Sequence, residues 1–255
     1  MKKISVGIFG FGKTGKEVVR QFLSDPLFEV RWVVRKTEQD KGKFASRLLG
    51  FEYDSAKIFC VACVSQQFYD KYPVDIIVDF SSAESYKFYE MAADKGIKII
   101  SAVSKYSPKD IGQLKSYAKQ TAVLYSPNIT LGINFLLVIS QVLQKVAPHA
   151  DIEIVEEHFR NKPEVSGTAL KIARILNLKK NKHVNSIRAG GIIGKHEVIF
   201  GLPNQTIRLV HESISKAAFG QGALFAAKWI INQAKGLFSM EYIISDMFKR
   251  NIPVY

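Results

Sequence analysis

The chain of 255 residues is poor in several things that would point elsewhere. Cysteine is almost absent. Cys60 and Cys63 form one CxxC and there is no second pair, so a paired-CxxC zinc site is excluded. The segment IFCVACV around them reads as part of a strand over 57–64. Positions i and i+3 of a strand face opposite ways, so the thiols are expected as two small core residues. Long apolar runs are also missing. The longest, Ile129 to Ile139, falls far short of the roughly 20 residues of a membrane helix. The apolar run near the start, Val6 to Phe11, contains two glycines and is followed at once by Lys13, Lys16 and Glu17. It is too short for a secretory core, and a cytoplasmic location with no membrane partner is expected. No internal repeat or low-complexity stretch is visible.

Acid is the other scarcity. There are 23 Asp and Glu against 36 Lys and Arg, a formal charge of +13. With 47% hydrophobic residues the chain is a folded globular protein. The excess of base predicts an acidic partner: nucleic acid, an anionic membrane, or a phosphorylated or carboxylated small molecule. No nucleic-acid motif, basic tail or aromatic-basic interleaving is present, which favours the small molecule. Much of the charge sits in two segments. Residues 31–47 carry six basic and two acidic side chains, and residues 158–183 carry seven and one.

What is present is ordered. Short apolar runs at 4–9, 29–34, 57–64, 75–80, 97–103 and 122–127 read as strands. Helical patterns at 13–23, 85–95 and 107–120 alternate with them. This predicts an α/β domain over 1–128 with a Rossmann-type doubly wound parallel sheet. After Asn128 the pattern changes. Helices over 130–146, 168–176 and 219–235, and strands over 151–157, 183–189, 196–201 and 205–213, predict a second α+β domain with an open mixed sheet over 129–235. The apolar segment SMEYIISDMF suggests that 236–255 packs back on the first domain.

Gly10, Gly12 and Gly15 form GxGxxG directly between the first strand and the first helix. In that context the first glycine permits the tight turn, the second lets a pyrophosphate approach the backbone, and the third lets strand and helix pack closely. The turn Gly10-Phe11-Gly12-Lys13-Thr14-Gly15 is therefore the candidate dinucleotide cradle. Twenty residues on stand Arg35 and Lys36, where an NAD-specific site usually has an acid. Base here suits a 2′-phosphate, so NADPH is favoured, with NADH still possible.

A second constellation lies in 153–170. His158 and Lys162 leave a strand, and Ser166-Gly167-Thr168 opens a helix whose N-terminus suits an anion. Of the other histidines, His149 and His183 read as surface residues, and His196 and His211 as core or interface hydrogen-bonding groups. No histidine pair has metal-ligand spacing with an acid or thiol, and no metal is expected.

These residues resemble the dihydrodipicolinate reductase (4-hydroxy-tetrahydrodipicolinate reductase) family of lysine and diaminopimelate biosynthesis. The likeness rests on GFGKTG at 10–15, DFSSAE at 79–84, SPNITLGIN at 126–134, EEHFRNK…SGTAL at 156–170, RAGGIIGKHEVIF at 188–200 and GLFSM at 236–240, in family order. The resemblance implies an NAD(P)H-dependent oxidoreductase acting on a cyclic imine with two carboxylates. It implies His158 and Lys162 as the proton-handling pair. Phe159, Lys162, Ser166, Gly167 and Thr168 would be substrate contacts. Ser101, Ala102, Val103, Ser126, Pro127, Asn128 and Ile129 would join the glycine turn at the nicotinamide nucleotide. It also implies a homotetramer built through the second domain's sheet.

Three positions depart from the family pattern. Phe159 stands for its second histidine, the 163–165 loop is one residue short, and Ser101-Ala102-Val103-Ser104 replaces its GTTG. Two other readings stay open at the level of sequence: a different two-domain NAD(P) oxidoreductase acting on a sugar or tetrapyrrole, or a non-catalytic NADPH-binding or nucleic-acid-binding protein.

Overall fold

The computed structural model describes residues 2–251. In the first half the elements are β1 (Ile4–Phe9), α1 (Lys13–Ser24), β2 (Phe28–Arg35), α2 (Ala45–Leu48), β3 (Lys57–Cys60), α3 (Gln66–Lys71), β4 (Ile76–Asp79), α4 (Tyr89–Asp94), β5 (Lys98–Ser101), α5 (Pro108–Tyr117) and β6 (Ala122–Tyr125). They are followed by α6 (Leu131–Val146), β7 (Asp151–His158), α7 (Gly167–Ile175), α8 (Lys180–His183), β8 (Val184–Arg188), β9 (Lys195–Leu202), β10 (Gln205–Glu212), α9 (Ala217–Ile230), β11 (Gly236–Phe238) and α10 (Met240–Asn251).

Two sheets result. The first has seven parallel strands in the order β11-β6-β5-β4-β1-β2-β3. Residues 6–9 of β1 and all of β4 are buried, as continuous apolar runs must be when both faces of a parallel sheet are covered. Strand order reverses between β1 and β4, and ligands of such sheets bind at the carboxyl ends of the strands there. The second sheet is mixed, in the order β10-β9-β7-β8, with β7 and β8 parallel and the other pairs antiparallel. In β7 burial alternates residue by residue, the signature of a sheet covered on one face. Ile152 and Ile154 of β7 and Val198 and Phe200 of β9 pack with Leu136 and Leu137 of α6 and Ile172 of α7. Full burial of each such side chain is worth about 1.5–3 kcal/mol.

The chain divides into two compact units, one comprising residues up to Thr130 with Phe219–Met240, the other Leu131–Ala218 with residues from Glu241 onward. The sequence reading set the second domain at 129–235 and sent 236–255 to the first. In the structure most of α9 belongs to the first unit, and so does β11, which adds a seventh strand beside β6. The segment from Glu241 to the last described residue belongs to the second unit. Three residues, Gly236-Leu237-Phe238, are too few for a readable alternation, which is why β11 has no signal in the sequence.

Two elements differ from expectation. The strand over 57–64 stops at Cys60, where its partner β2 stops at Arg35, and a 3-10 turn follows over Val61–Cys63. Cys63 is thus not on a strand. Cys60 is buried, Cys63 is half-buried, and both thiols are free. The helix over 85–95 starts as a 3-10 segment, Ala83–Phe88, before α4. By contrast α5 begins as its sequence demands, with Ser107 and Asp110 forming a capping box around Pro108. Among the described residues no helix is long and apolar enough to cross a membrane.

Candidate functional site

In the first unit the chain leaves β1 and turns into α1 through the three glycines. Gly10 has φ +101, a conformation that L side chains rarely adopt, and its N–H donates to Val34 O at 2.9 Å. A Cβ on Gly15 would stand 2.4 Å from the Gly10 carbonyl oxygen. Gly12 is the opposite case. A Cβ there meets no heavy atom within 4 Å, and Gly12 caps α1 without a side-chain bond. Two glycines are therefore demanded by the protein's own packing. The third keeps space open at a helix N-terminus, where a pyrophosphate fits. Phe11 is buried below the turn, with the Lys16 ammonium 5.5 Å and the Arg35 guanidinium 5.9 Å from its ring centre. Lys13 is exposed.

Two cavities lie at the carboxyl ends of these strands, the first of them bordered by the turn. One of about 530 Å³ is lined by Thr14, Ala102, Val103, Pro127 and Phe219, and by the 80–83 loop. Four of the residues expected at the nicotinamide nucleotide thus share one wall. Ser101, Ser126 and Ile129 sit behind it, fully or almost fully buried. The Ser126 hydroxyl donates to Asn128 O at 3.0 Å. The second cavity, about 230 Å³, is lined by Val34, Arg35, Lys36, Ser81, Ser82 and Glu84 among others. Arg35 is half-buried and Lys36 is exposed.

A buried polar chain supports the first cavity, and the sequence reading missed it. Asp79, fully buried at the end of β4, accepts from the Ser81 N–H and hydroxyl, both at 2.7 Å, and from the Tyr89 hydroxyl at 2.5 Å. Tyr89 contacts the Tyr106 hydroxyl at 3.1 Å, and Tyr106 contacts the Ser101 hydroxyl at 2.9 Å. Burial raises the Asp79 carboxyl and, with the neighbouring acid, pushes the Tyr106 phenol up to about 12. The departure from GTTG at Ser101 is thus answered by a tyrosine that holds its hydroxyl.

In the second unit, β7 carries Ile152, Ile154, Glu156 and His158 on its covered face. Glu156 is completely buried. Its Oε1 accepts from Arg188 Nη2 at 2.6 Å, Ser186 Oγ at 2.6 Å and the Ser166 N–H at 3.2 Å. Its Oε2 accepts from Arg188 Nη1 at 2.9 Å and lies 2.5 Å from His158 Nδ1. Burial alone would raise this carboxyl. The hydrogen bonds from Arg188, Ser186, Ser166 and His158 outweigh it and hold it at about 2. An ionised carboxylate only accepts, so Nδ1 of His158 carries the proton and Nε2 is left for other work. Nε2 faces Gly194, where a Cβ would come within 3.0 Å of it.

His158 is nearly buried, and burial pulls its basicity down. Glu156 opposes this, while the Lys162 and Arg188 charges add to it. Lys162 is half-buried in a tight turn, its N–H donating to Phe159 O and its carbonyl accepting from Arg188 Nε, each at 3.1 Å. Ser166 occupies the N-cap position of α7, but its hydroxyl does not cap the helix. It pairs instead with His196 Nε2 at 2.8 Å. His196 is buried, and desolvation first, then the His158 charge, takes it down to about 3. Gly167 opens α7 with no atom within 4 Å of a Cβ, and Thr168 follows in its first turn. Phe159 is 44% exposed.

The structure therefore brings His158, Ser166 and Lys162 to one carboxylate and one arginine that the sequence reading did not single out. The signal was available. Glu156 continues the Ile152–Ile154 alternation into a buried position, which an acid occupies only when paired. His196 hydrogen-bonds within the unit as expected, while His183, expected at the surface, is half-buried and pairs with Glu153 at 3.0 Å. Among the described residues no group of three or more His, Cys, Asp or Glu is placed to hold a metal ion.

Comparison with known proteins agrees along most of the length. Residues 4–129 match the N-terminal and residues 132–244 the C-terminal family model of dihydrodipicolinate reductase. A 4-hydroxy-tetrahydrodipicolinate reductase of Caldanaerobacter subterraneus is 34% identical, over 91% of this chain and 94% of that one. One from Methylococcus capsulatus is 30% identical over 94% and 98%. The fold is shared with the dipicolinate-bound dihydrodipicolinate reductase of Paenisporosarcina sp. TG-14, with a TM-score of 0.76, 19% identity and coverage of 93% and 98%. At that identity the likeness is one of fold. Two family models that leave few residues unmatched, and relatives at 30% identity or more, place this chain in the dihydrodipicolinate reductase family.

Proposed function

We propose that the protein reduces 4-hydroxy-tetrahydrodipicolinate to tetrahydrodipicolinate in lysine and diaminopimelate biosynthesis. NADPH is its favoured reductant and NADH a second one. One observation carries the reading: His158, Lys162 and the Ser166-Gly167-Thr168 helix start gather around the Glu156–Arg188 pair in a chain of this family. A dicarboxylate has what it needs there. The α7 N-terminus has no side-chain cap from Ser166 and suits one carboxylate, and Lys162 adds positive charge.

The bound nicotinamide cofactor supplies the hydride. The protein's own task is the proton that must reach the carbon next to the one receiving hydride. Lys162, an ammonium at the strand exit, is the donor in this reading. His158, held with its proton on Nδ1, offers Nε2 as the partner that orients or relays. The glycine turn holds the pyrophosphate. Ala102, Val103 and Pro127 line the nicotinamide end, and Arg35 with Lys36 faces the 2′-phosphate. Phe159, where the family has a histidine, gives a flat apolar contact in place of a hydrogen bond. A cytoplasmic homotetramer is the matching assembly. Ile187 of β8 and Val210 of β10, 46% and 53% exposed on the uncovered face of the second sheet, support an interface there.

The test is an assay with freshly prepared 4-hydroxy-tetrahydrodipicolinate, following loss of NADPH absorbance. Turnover that saturates in substrate is expected. No turnover, with NADPH oxidised instead by other carbonyl compounds, would reassign the protein to a different oxidoreductase reaction.

A further inference from the structure

The loop after β2 answers Arg35 with an acid. The Arg35 guanidinium, 16% exposed, places Nη1 at 2.7 Å from Asp40 Oδ2 and donates from Nη2 to Gln39 Oε1 at 2.8 Å. Lys43 Nζ reaches the other Asp40 oxygen at 3.0 Å. Lys43 first, then Arg35, keeps the Asp40 carboxyl below the usual carboxylate range, so it is a full anion at neutral pH. The turn itself is firmly built. Lys41 N–H donates to Glu38 O and Lys43 N–H to Asp40 O, each at 3.1 Å, and Gly42 N–H donates to Ile58 O at 2.8 Å. Asp40 sits at φ +59, a conformation that among L residues Asp and Asn accept most readily.

A carboxylate bridging Arg35 and Lys43 makes the contacts that a phosphate would make. We propose that Asp40 is a specificity-determining residue: its carboxylate occupies the Arg35–Lys43 fork and competes there with the 2′-phosphate of NADPH, holding the preference over NADH small. The proposal rests on reading the Arg35 end as the adenosine-ribose site. A phosphate entering the fork must displace an anion and then lie beside it, which subtracts from the charge-assisted bonds it gains. NADH, with free ribose hydroxyls, meets no such penalty. Arg35 and Lys36 alone would predict a strong NADPH preference; Asp40 reduces it.

Asp40→Asn keeps the side-chain shape and suits φ +59, and Asp40→Gly suits the same backbone without a side chain. The experiment is calorimetric titration of the whole protein with adenosine 2′,5′-bisphosphate and with 5′-AMP, on wild type, both Asp40 variants and Arg35→Ala. Both Asp40 variants are expected to bind the bisphosphate about tenfold more tightly, the scale of one charge-assisted contact, with 5′-AMP unchanged. The NADPH/NADH ratio of kcat/KM should rise in step. Arg35→Ala should lose selectivity for the bisphosphate. If it does and the Asp40 variants gain nothing, or gain equally for 5′-AMP, Asp40 is not a competitor and the proposal is overturned. If Arg35→Ala leaves bisphosphate binding unchanged, the adenosine-ribose reading fails and takes the proposal with it.

Discussion

Glu156 Oε2 lies 2.5 Å from His158 Nδ1, two residues along one strand and on the same covered face. A strand's period of two makes this contact local, yet the foremost of the hydrogen bonds that keep the acid ionised come from Arg188 of β8, which supplies two donors to it across the sheet. The pair therefore ties the orientation of a candidate catalytic imidazole to the packing of the second sheet.

Replacing Glu156 by Gln should disturb His158 without emptying the site. The amide can donate to Nδ1 as well as accept from it, so the tautomer is no longer set, and Arg188 loses its counter-charge. We expect kcat to fall by about 10–10²-fold, the scale of outer groups that orient a functional histidine, with the pH profile of kcat/KM displaced. A profile that keeps its shape and position would reduce Glu156 to a structural residue.

Lys162→Ala should lower kcat by a factor of about 10² or more, as expected for loss of a general acid. The fold should survive, because the hydrogen bonds that hold Lys162 in its turn to Phe159 and Arg188 are made by its backbone atoms. Turnover equal to wild type would remove Lys162 from the reaction. His158→Ala, measured alongside, divides proton donation from orientation.

The glycine turn separates folding from binding. Gly15→Ala puts a Cβ 2.4 Å from the Gly10 carbonyl and should cost about 1–3 kcal/mol of stability. Gly12→Ala meets no protein atom, so the thermal midpoint should hold while nucleotide affinity falls at least tenfold. Equal effects of the two on nucleotide affinity, with no difference in melting, would contradict this division.

Acid should weaken the fold in a specific window. His196 is held at about 3 against 6.5 for a free imidazole. Between those values the unfolded chain takes up a proton that the native state refuses, so stability is complete above 6.5 and falls as pH drops toward 3. Glu156 acts in the same direction lower down. Its contribution is present above 4.5 and lost as pH falls toward about 2. Unfolding free energies from urea titrations between pH 7.5 and 4.5 should decline by about 2–3 kcal/mol through His196, and His196→Gln should flatten that slope. A wild-type curve level to pH 4.5 would show that His196 protonates freely in the native state.

Much of this was legible in the sequence, and the reasons are local. GFGKTG names a strand-turn-helix junction because only glycine tolerates φ +101 at Gly10 and the 2.4 Å approach at Gly15. Continuous apolar runs such as DIIVDF announce a sheet covered on both faces, and the alternation of DIEIVEEH one covered on a single face. The motif order carried the family. What stayed hidden depends on residues far apart in the chain. Nothing near Ser101 indicates that Tyr106 and Tyr89 carry its hydroxyl toward Asp79, and Arg188 and Glu156 are separated by the whole of α7 and α8.

The sequence by itself determined the alternation of elements, the nucleotide turn and the His158–Lys162–Ser166 set, since each is written within about a dozen consecutive residues and follows from backbone sterics and strand or helix period. Tertiary structure decided which charges those residues meet. It set Arg188 on Glu156, His196 on Ser166 and Asp40 on Arg35. It also sent β11 into the first sheet and the segment from Glu241 onward into the second unit. Such choices follow from pairing buried polar groups and closing sheet edges, and a linear pattern does not display them.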